Sequence, residues 1–488
     1  MTALVLKFGV PAEAQRALRK RLLALGASRL HLRSHCFDTA DGTLARQRIV
    51  LRLCQQGPLW VQSLTIAGQA GSLRLQHEVP VSGKRGVTPA LDLSLHRHHP
   101  AGPALYQAMQ AAAQQSLVVS HATDIWRLRA TLHGPHACQV EAALDIGSVS
   151  AGDRSASIAG FELAYLAGPV EGLFEMARDW LLPHGLWLST TERGLQLAAG
   201  NDTPVVFKMQ APRLAAGADG PTLLRALLLS ALDQVLGNSS AVAEGCAAPE
   251  TIHQLRVGLR RLRVVLRELA SLSPCIAPGW DAALASAFGP LGTLRDQVAV
   301  AEAVRPLLQA AHAPRWIWQA GATQNPGTTV RAPTYQLALL GILGLAHAGP
   351  QSYAPLSARA ARSKIVKRLN ALHRRVTAEG RGFEQFPLQA QHRVRKHLKR
   401  LRYLADFMAT AWSSAQTDAY LQALRDAQEA LGLHNDVGVA AQAFRLDARL
   451  HPESWFAAGY LLAHLGMTAR AARRALSRLA KTPVFWPR

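Results

Sequence analysis

The sequence predicts an α+β protein of two domains, an antiparallel β-barrel followed by an all-helical bundle. Three observations carry this. Residues 1–200 contain many segments whose polar and apolar side chains alternate with period two, residues from 221 onward follow a helical period, and the stretch 201–220 is rich in Ala, Gly, Pro and Asp. The 488 residues give room for two or three cores.

The elements follow in order. A helix is expected over Ala12–Leu25. In the strand Arg48–Cys54, Arg48, Val50, Arg52 and Cys54 share one face while Ile49, Leu51 and Leu53 share the other. Leu59–Ile66, Leu73–Val81, Ile125–Leu132, Cys138–Asp145 and Phe161–Leu166 read the same way, with a second helix over Val170–Leu182. So many strands with so few helices predict a sheet curved into a barrel. Helices are then expected at Pro221–Leu236, Pro249–Ser271, Gln297–Ala311, Pro355–Thr377, Pro387–Ala411, Thr417–Leu431, Val437–Leu450 and Ala457–Lys481. Four of them open on or beside a proline, where the missing N–H costs nothing. Ala313–Ala332, with Gly, Pro and Thr, is expected to be a loop. The domains are therefore drawn at 1–200 and 221–488, joined by a linker at 201–220.

Charge separates the two halves. Residues 1–200 carry 19 basic and 14 acidic side chains, net +5; residues 201–488 carry 35 and 18, net +17. Such an excess favours a polyanionic partner, because a charged polymer releases counterions when fixed cations neutralise it. The five cysteines are scattered without a CxxC pair, as expected of free thiols in a reducing compartment. The N-terminus lacks the features of a signal peptide, and the longest apolar run, Leu337–Ala346, is too short to span a bilayer. The cytoplasm is the expected location, with no membrane partner.

Within the helical half the sequence repeats. Ile252–Arg267 aligns with Gln391–Asp406 at an offset of 139, pairing His253 with His392, Arg256 with Arg395, Arg260 with Lys399, Arg261 with Arg400 and Arg263 with Arg402. A second element follows each copy, Leu291–Asp296 and Leu431–Asp436. His253, Arg256, Arg260, Arg263 and Arg267 fall on one helical face, and His392, Arg395, Lys399 and Arg402 repeat it. Lys396 adds a further cation. Like charges so spaced cost roughly a few tenths of a kcal/mol per pair, and no acid lies between 251 and 267 to relieve them. A charge run is usually a solvated face, but two copies in register point instead to a ligand dense in negative charge. Arginine suits phosphate oxygens, which its planar fork engages two at a time. The histidines leave ligand contact and helix-start packing both open. Asp296, Asn435 and Asp436 are expected to cap helices or to pair with the arginines. A third basic segment, Arg362–Arg375, is expected to extend the surface. Nucleic acid is disfavoured as the partner, since Tyr403 is the only aromatic in either repeat.

The repeated H-x-x-R-[VK]-x-L-[RK]-R-L-R pattern resembles the CHAD domain, the conserved histidine α-helical domain, over about Thr222 to Arg488. The resemblance implies a pseudo-two-fold helical bundle whose basic surface binds inorganic polyphosphate, often at polyphosphate granules. Histidine-mediated metal chelation fits poorly, because arginine outnumbers histidine on the face and does not ligate metals.

Residues 1–200 resemble a CYTH domain, the triphosphate tunnel fold, through His35–Thr39, Leu44–Arg46, Val50–Leu53, Val61–Leu64, Glu78, Val140–Asp145, Phe161–Leu163 and Thr191–Gly194. That family implies an eight-stranded tunnel in which basic residues hold a triphosphate and carboxylates hold Mg²⁺ or Mn²⁺. This copy departs from the pattern. Its E-x-E-x-K signature reads Ala3-x-Val5-x-Lys7, the second Arg of R-x-R is Cys54, the basic residue ending the next strand is Thr65, and Ala164 and Thr190 replace a Glu and a Lys. Lys7, Arg52, Arg127 and Arg129 remain as residual anion-binding residues, with the carboxylates Glu78, Glu141, Asp145 and Glu162. The expectation is a catalytically inactive barrel with no catalytic residue and no required cofactor, Mg²⁺ or Mn²⁺ entering only if the tunnel is active. Metal-dependent triphosphatase activity is the alternative.

Overall fold

The computed structural model describes residues 2–83, 87–113, 115–190, 193–199, 206–212, 214–215, 217–313, 325–412 and 414–487. The first 199 residues supply β1 (Thr2–Gly9), α1 (Gln15–Ala24), β2 (Ser28–Thr39), α2 (Thr43–Arg46), β3 (Ile49–Gln56), β4 (Leu59–Ala67), β5 (Leu73–Val81), α3 (Gly102–Ala111), β6 (Leu117–His133), β7 (Gln139–Ala151), β8 (Arg154–Ala167), α4 (Val170–His184), β9 (Trp187–Leu188) and α5 (Arg193–Ala199). All strand pairs are antiparallel, in the order β5-β4-β3-β2-β6-β7-β8-β1-β9. The sheet closes because β1 serves both edges, Thr2–Leu4 pairing with β5 and Val5–Gly9 with β8. The two-residue turn between β7 and β8 places Gly152 at φ 56°, a left-handed conformation in which a side chain would be strained.

Alternation sorts the barrel's two faces. Leu4, Leu6, Phe8, Leu51, Leu53, Phe161 and Leu163 are buried on the outer face. Part of that face is covered by Ala101, Leu105 and Ala108 of the α3 region, packed with Leu44, Ile49, Leu51 and Leu64. Beside this cluster sits a histidine group. His96 is fully buried, its Nε2 3.0 Å from the Gln62 amide and its Nδ1 2.9 Å from Nδ1 of His77, which stacks on His99 at 4.2 Å. Burial, then the neighbouring His77 and His99, push the His96 pKa down to about 4, against the pull of Asp92. The unfolded chain therefore binds a proton between about pH 6.5 and 4 that the folded barrel refuses, and stability falls as pH drops through that window. We expect a loss of up to about 3 kcal/mol. Unfolding midpoints from pH 7 to 4 check it: His96→Asn should flatten this part of the profile, and an unchanged slope would refute the assignment.

Beyond the barrel come α6 (Gly220–Ala243), α7 (Pro249–Glu268), α8 (Pro278–Phe288), α9 (Thr293–Ala310), α10 (Pro326–Arg331), α11 (Pro333–His347), α12 (Ala358–Arg381), α13 (Leu388–Met408), α14 (Ala415–Asp447) and α15 (Ser454–Lys481). The chain forms two compact units. One comprises Met1–Met209, Leu229–Gly258 and Pro326–Gly349, and the other Gln210–Leu228, Leu259–Asn325 and Pro350–Arg488.

In the first unit the barrel takes a coat from later sequence. Asp233 of α6, 6% exposed, accepts from both terminal nitrogens of Arg48 at 2.5 and 2.6 Å and from the Ala70 N–H at 2.9 Å. Arg48 and Ala70 both have left-handed backbone, φ 60° and 57°. Ser240 takes the Thr190 N–H, and Gln336 of α11 takes the Leu188 N–H at 2.8 Å. In the second unit, Val300 and Val304 of α9 pack with Val437, Ala440, Ala441 and Phe444 of α14 and with Ala457, Ala458 and Leu461 of α15.

Several elements differ from expectation. The two helices expected at Thr417–Leu431 and Val437–Leu450 are one helix, α14, which runs through Gly432. The cost of a mid-helix glycine, about 1 kcal/mol, is offset by His434, whose ring bonds Gln391 and Thr468 at 2.8 and 2.9 Å. Asn435 and Asp436 therefore cap nothing. The expected loop Ala313–Ala332 contains α10, with 314–324 outside the described residues. Helix α11 escaped the periodic reading because it is buried nearly all round and so has no polar stripe. No helix among the described residues is long and apolar enough to cross a membrane.

Candidate functional site

The repeat arginines do not lack carboxylates; acids from other helices, and Asp406 from within α13, reach them. On α7, Arg263 Nε and Arg267 Nη2 divide Asp281 of α8 between them, at 2.9 and 2.5 Å, and hold its carboxyl below the usual range against the opposing effect of burial. Arg261 lies 3.8 Å from Asp406 on α13 and over the Tyr403 ring. Arg402 lies 3.7 Å from the same Asp406, and Arg400 lies 3.9 Å from Glu268, which Arg368 also engages. Arg260 stands over the Phe288 ring at 4.6 Å. His253 is half-buried and Arg256 is only 3% exposed. The absence of acids between 251 and 267 is thus a local fact that tertiary structure reverses. The side chain of Asp296 lies outside the described residues.

The second repeat leaves a different surface. Between α13 and α14 lies a cavity of about 530 Å³ with no carboxylate in its lining. His392, Arg393, Arg395 and Lys396 reach it from α13, and Asn435 and Gln442 from α14. His392, Arg393 and Lys396 are exposed; Arg395 and Lys399 are half-buried. His392 Nδ1 lies 3.3 Å from Asn435 Oδ1, whose amide donates to Asp436 at 3.1 Å. Partial loss of water around the otherwise exposed ring, only partly offset by the Asn435 contact, holds the His392 pKa below its ordinary value, as do Lys396, Arg395 and Lys399. The wall is fixed from behind. Gln391 bonds the Phe383 carbonyl and His434, and buried His434 bonds Thr468, so one chain of contacts ties α13, α14 and α15. Burial keeps the His434 pKa low, so the ring is neutral at pH 7.

Arg393, Gln391 and His434 were not among the expected site residues. Arg393 directly follows His392, and Gln391 and His434 sit in the two repeated motifs, so adjacency was the available signal.

In the barrel the alternation places Lys7, Arg52, Arg74 and Arg127 on the inner face with Glu162, Asp145 and Glu78. Glu162 lies 3.5 Å from Lys7, 3.6 Å from Arg74 and 3.9 Å from Arg127. These cations, with Arg52, hold its pKa far below the carboxylate range despite burial. Arg127 forks onto Asp145 at 2.6 and 2.7 Å, and Arg52 lies 4.0 Å from Glu78. Arg74, on the same face as Glu78, went unassigned in the sequence although its strand parity points inward. Arg129 is exposed and Glu141 half-buried; Thr191 and Glu192 lie outside the described residues. Cys54 belongs to an apolar cluster with Leu32 and Ile125, against which Leu30 and Ile158 pack. All five share the inner face, so hydrocarbon fills the position where the tunnel pattern has arginine. The remaining carboxylates do not fit a divalent ion: Glu162 and Asp145 are taken by cations, and no described group of three His, Cys, Asp or Glu could hold a metal.

The two architectures define the class: a closed eight-stranded antiparallel barrel, the fold that the CYTH resemblance implies, and a helical domain built on a repeated basic helix. Residues 226–445 match the CHAD domain family, and this segment of the chain is a CHAD domain. The chain is similar to the CHAD domain from the plant Ricinus communis, at 28% identity over 56% of this chain and 97% of that one, with a TM-score of 0.45. It is also similar to a Hippeastrum protein described as having a dominant triphosphatase activity (15% identity, 41% and 98% covered, TM-score 0.28). A Bacillus halodurans protein provisionally assigned as an adenylate cyclase has 17% identity, 39% and 93% covered, and a TM-score of 0.26.

Proposed function

We propose that this protein binds inorganic polyphosphate in the α13–α14 cleft, and that its barrel is not an enzyme. The carrying observation is the cleft itself, where His392, Arg393, Arg395 and Lys396 converge on one cavity without a carboxylate in its lining. A dense, flexible polyanion suits it, since each added phosphate meets another cation and releases counterions. Membership of residues 226–445 in the CHAD family points the same way. Bases would find little to stack on, because the one Phe, Tyr or Trp of the lining, Phe383, is fully buried. The arginines held by Asp281, Asp406 and Glu268 serve to fix the helices. Location in the cytoplasm, at polyphosphate granules, accords with this role.

The rival reading, a metal-dependent triphosphatase, asks the barrel for free carboxylates and an open tunnel. Its Glu162 is surrounded by four cations, and the Cys54 cluster occupies the interior beside Arg52. One titration tests both readings. Long-chain polyphosphate should compete off labelled polyphosphate at far lower phosphate concentration than single- or double-stranded DNA does at the same salt. Tripolyphosphate with Mg²⁺ or Mn²⁺ should release no phosphate. Equal competition by DNA would sink polyphosphate specificity, and turnover lost in Glu162→Gln would restore the enzyme.

A further inference from the structure

Beyond the cleft, a second surface of the helical unit concentrates cations. From Ser454 to Arg488 the chain contains no Asp or Glu. The outward side chains of α15 divide along its length: Trp455, Phe456, Leu462 and Met467 in the first half are uncharged, whereas Arg470, Arg473, Arg474, Arg478 and Lys481 are all exposed in the second. Beside that second half runs the end of α12. A Cβ at Gly380 would meet Leu476 at 3.0 Å, and Trp486 Nε1 donates to Asn370 at 2.8 Å, so the two helices are antiparallel. Arg374, Arg375 and Arg381 add three exposed cations from α12.

The acids nearby are few, and both are engaged. Glu384 pairs with Arg473 at 2.6 Å and Glu379, the sole acid of α12, with His397 at 2.8 Å. Among the described residues Arg374, Arg375, Arg381, Arg470, Arg474, Arg478 and Lys481 make no ion pair. This is the reverse of α7, whose arginines are matched by Asp281 and Asp406. Unrelieved repulsion on an exposed helix is disfavoured, and a face kept only for solubility mixes both signs.

The cationic run also starts at the cleft. Thr468, bonded to His434 of the cleft lining, precedes Arg470 by two residues, and Glu384, which holds Arg473, follows the lining residue Phe383. From Arg470 to Lys481 the run then extends about 17 Å along α15, at 1.5 Å per residue.

We propose that α12 and α15 form a second track for the same ligand, engaging the part of a long polyphosphate chain that overhangs the α13–α14 cleft. The proposal rests on the cleft reading and makes this protein selective for chain length. Short chains are held by the cleft alone; long ones gain the contacts of Arg374, Arg375, Arg470, Arg474, Arg478 and Lys481. All of α15 lies beyond the segment 226–445 that matches the CHAD family.

The test uses full-length protein with Arg470→Ala, Arg474→Ala, Arg478→Ala and Lys481→Ala combined, titrated with tripolyphosphate and with long-chain polyphosphate across a salt series. We expect tripolyphosphate affinity within about twofold of the parent, long-chain affinity at least tenfold weaker, and a slope of log K against log salt shallower by about 2–3. Parent-like long-chain affinity and slope in this variant, with long-chain binding still lost in a cleft variant, would overturn the track alone. A parent protein that binds neither chain overturns the cleft and the track together.

Discussion

Replacing Asp233 with alanine should lower the folding stability of the barrel-bearing unit by about 3 kcal/mol, the cost of leaving the partly buried Arg48 charge and the Ala70 N–H without their carboxylate. Asp233 neutralises Arg48 through two short contacts and holds the Ala70 N–H. Both of those residues have left-handed backbone, which costs on the order of 1 kcal/mol each and persists only where the surroundings fix it. Losing the carboxylate therefore removes an ion pair and the restraint on two strained turns together. Because the partners are 185 residues apart, the effect should appear as early melting of the barrel strands in thermal circular dichroism or hydrogen exchange. Arg48→Met combined with Asp233→Leu should recover most of the loss, since neither charge is then stranded. A single-variant change below about 1 kcal/mol would show that water reaches the pair and that it holds little.

The second large effect is on binding. Arg393→Glu with Lys396→Glu should weaken long-chain polyphosphate binding by about 100-fold or more, as expected when two charge-assisted contacts of about 1.5 kcal/mol each are removed. Arg263→Gln with Arg267→Gln also removes two cations, but those arginines are bound to Asp281. That variant should bind within about threefold of the parent and melt earlier, because Asp281 is left without its partners. Calorimetric titration of the two variants side by side decides the matter; equal losses in both would return the whole repeat face to the ligand. His392 adds a sign. Its pKa is held low in the free cleft, and a polyanion favours its protonated form, so binding should strengthen as pH falls below about 6.5.

Six of the barrel's strands, β3 to β8, were legible because one face of each is largely apolar, as Ile49, Leu51 and Leu53 are in β3; β1 and β2 were not read as strands. The helices with a polar stripe were legible too, with α13 expected at Pro387–Ala411 and found at Leu388–Met408. What could not be read were relations across the chain. Asp281, Asp406 and Glu268 neutralise the repeat arginines Arg263, Arg261 and Arg400 from up to 145 residues away. Apart from Arg402 and Asp406, four residues apart on α13, no local window contains both partners, so an acid-free segment looked like a free cationic face. Glu162 is the same lesson inside the barrel: it survives from the tunnel pattern, yet among four cations it acts as a resident counter-anion. The His392-to-Lys396 half of the site was visible from the repeat. Its separation from the paired half was not, since the two copies differ chiefly in what packs against them.

The Asp233 contact also has a consequence in time. A ribosome adds roughly 5–20 residues per second, so Asp233 follows Arg48 by on the order of ten seconds or more, and α11 comes later still. From the completion of β8 at Ala167 until Asp233 is made, all eight barrel strands exist, while Arg48 has only the Gly68 carbonyl and water to meet it and the Ala70 amide only water. The nascent barrel lacks its full set of later partners until the chain reaches about residue 347, the end of α11.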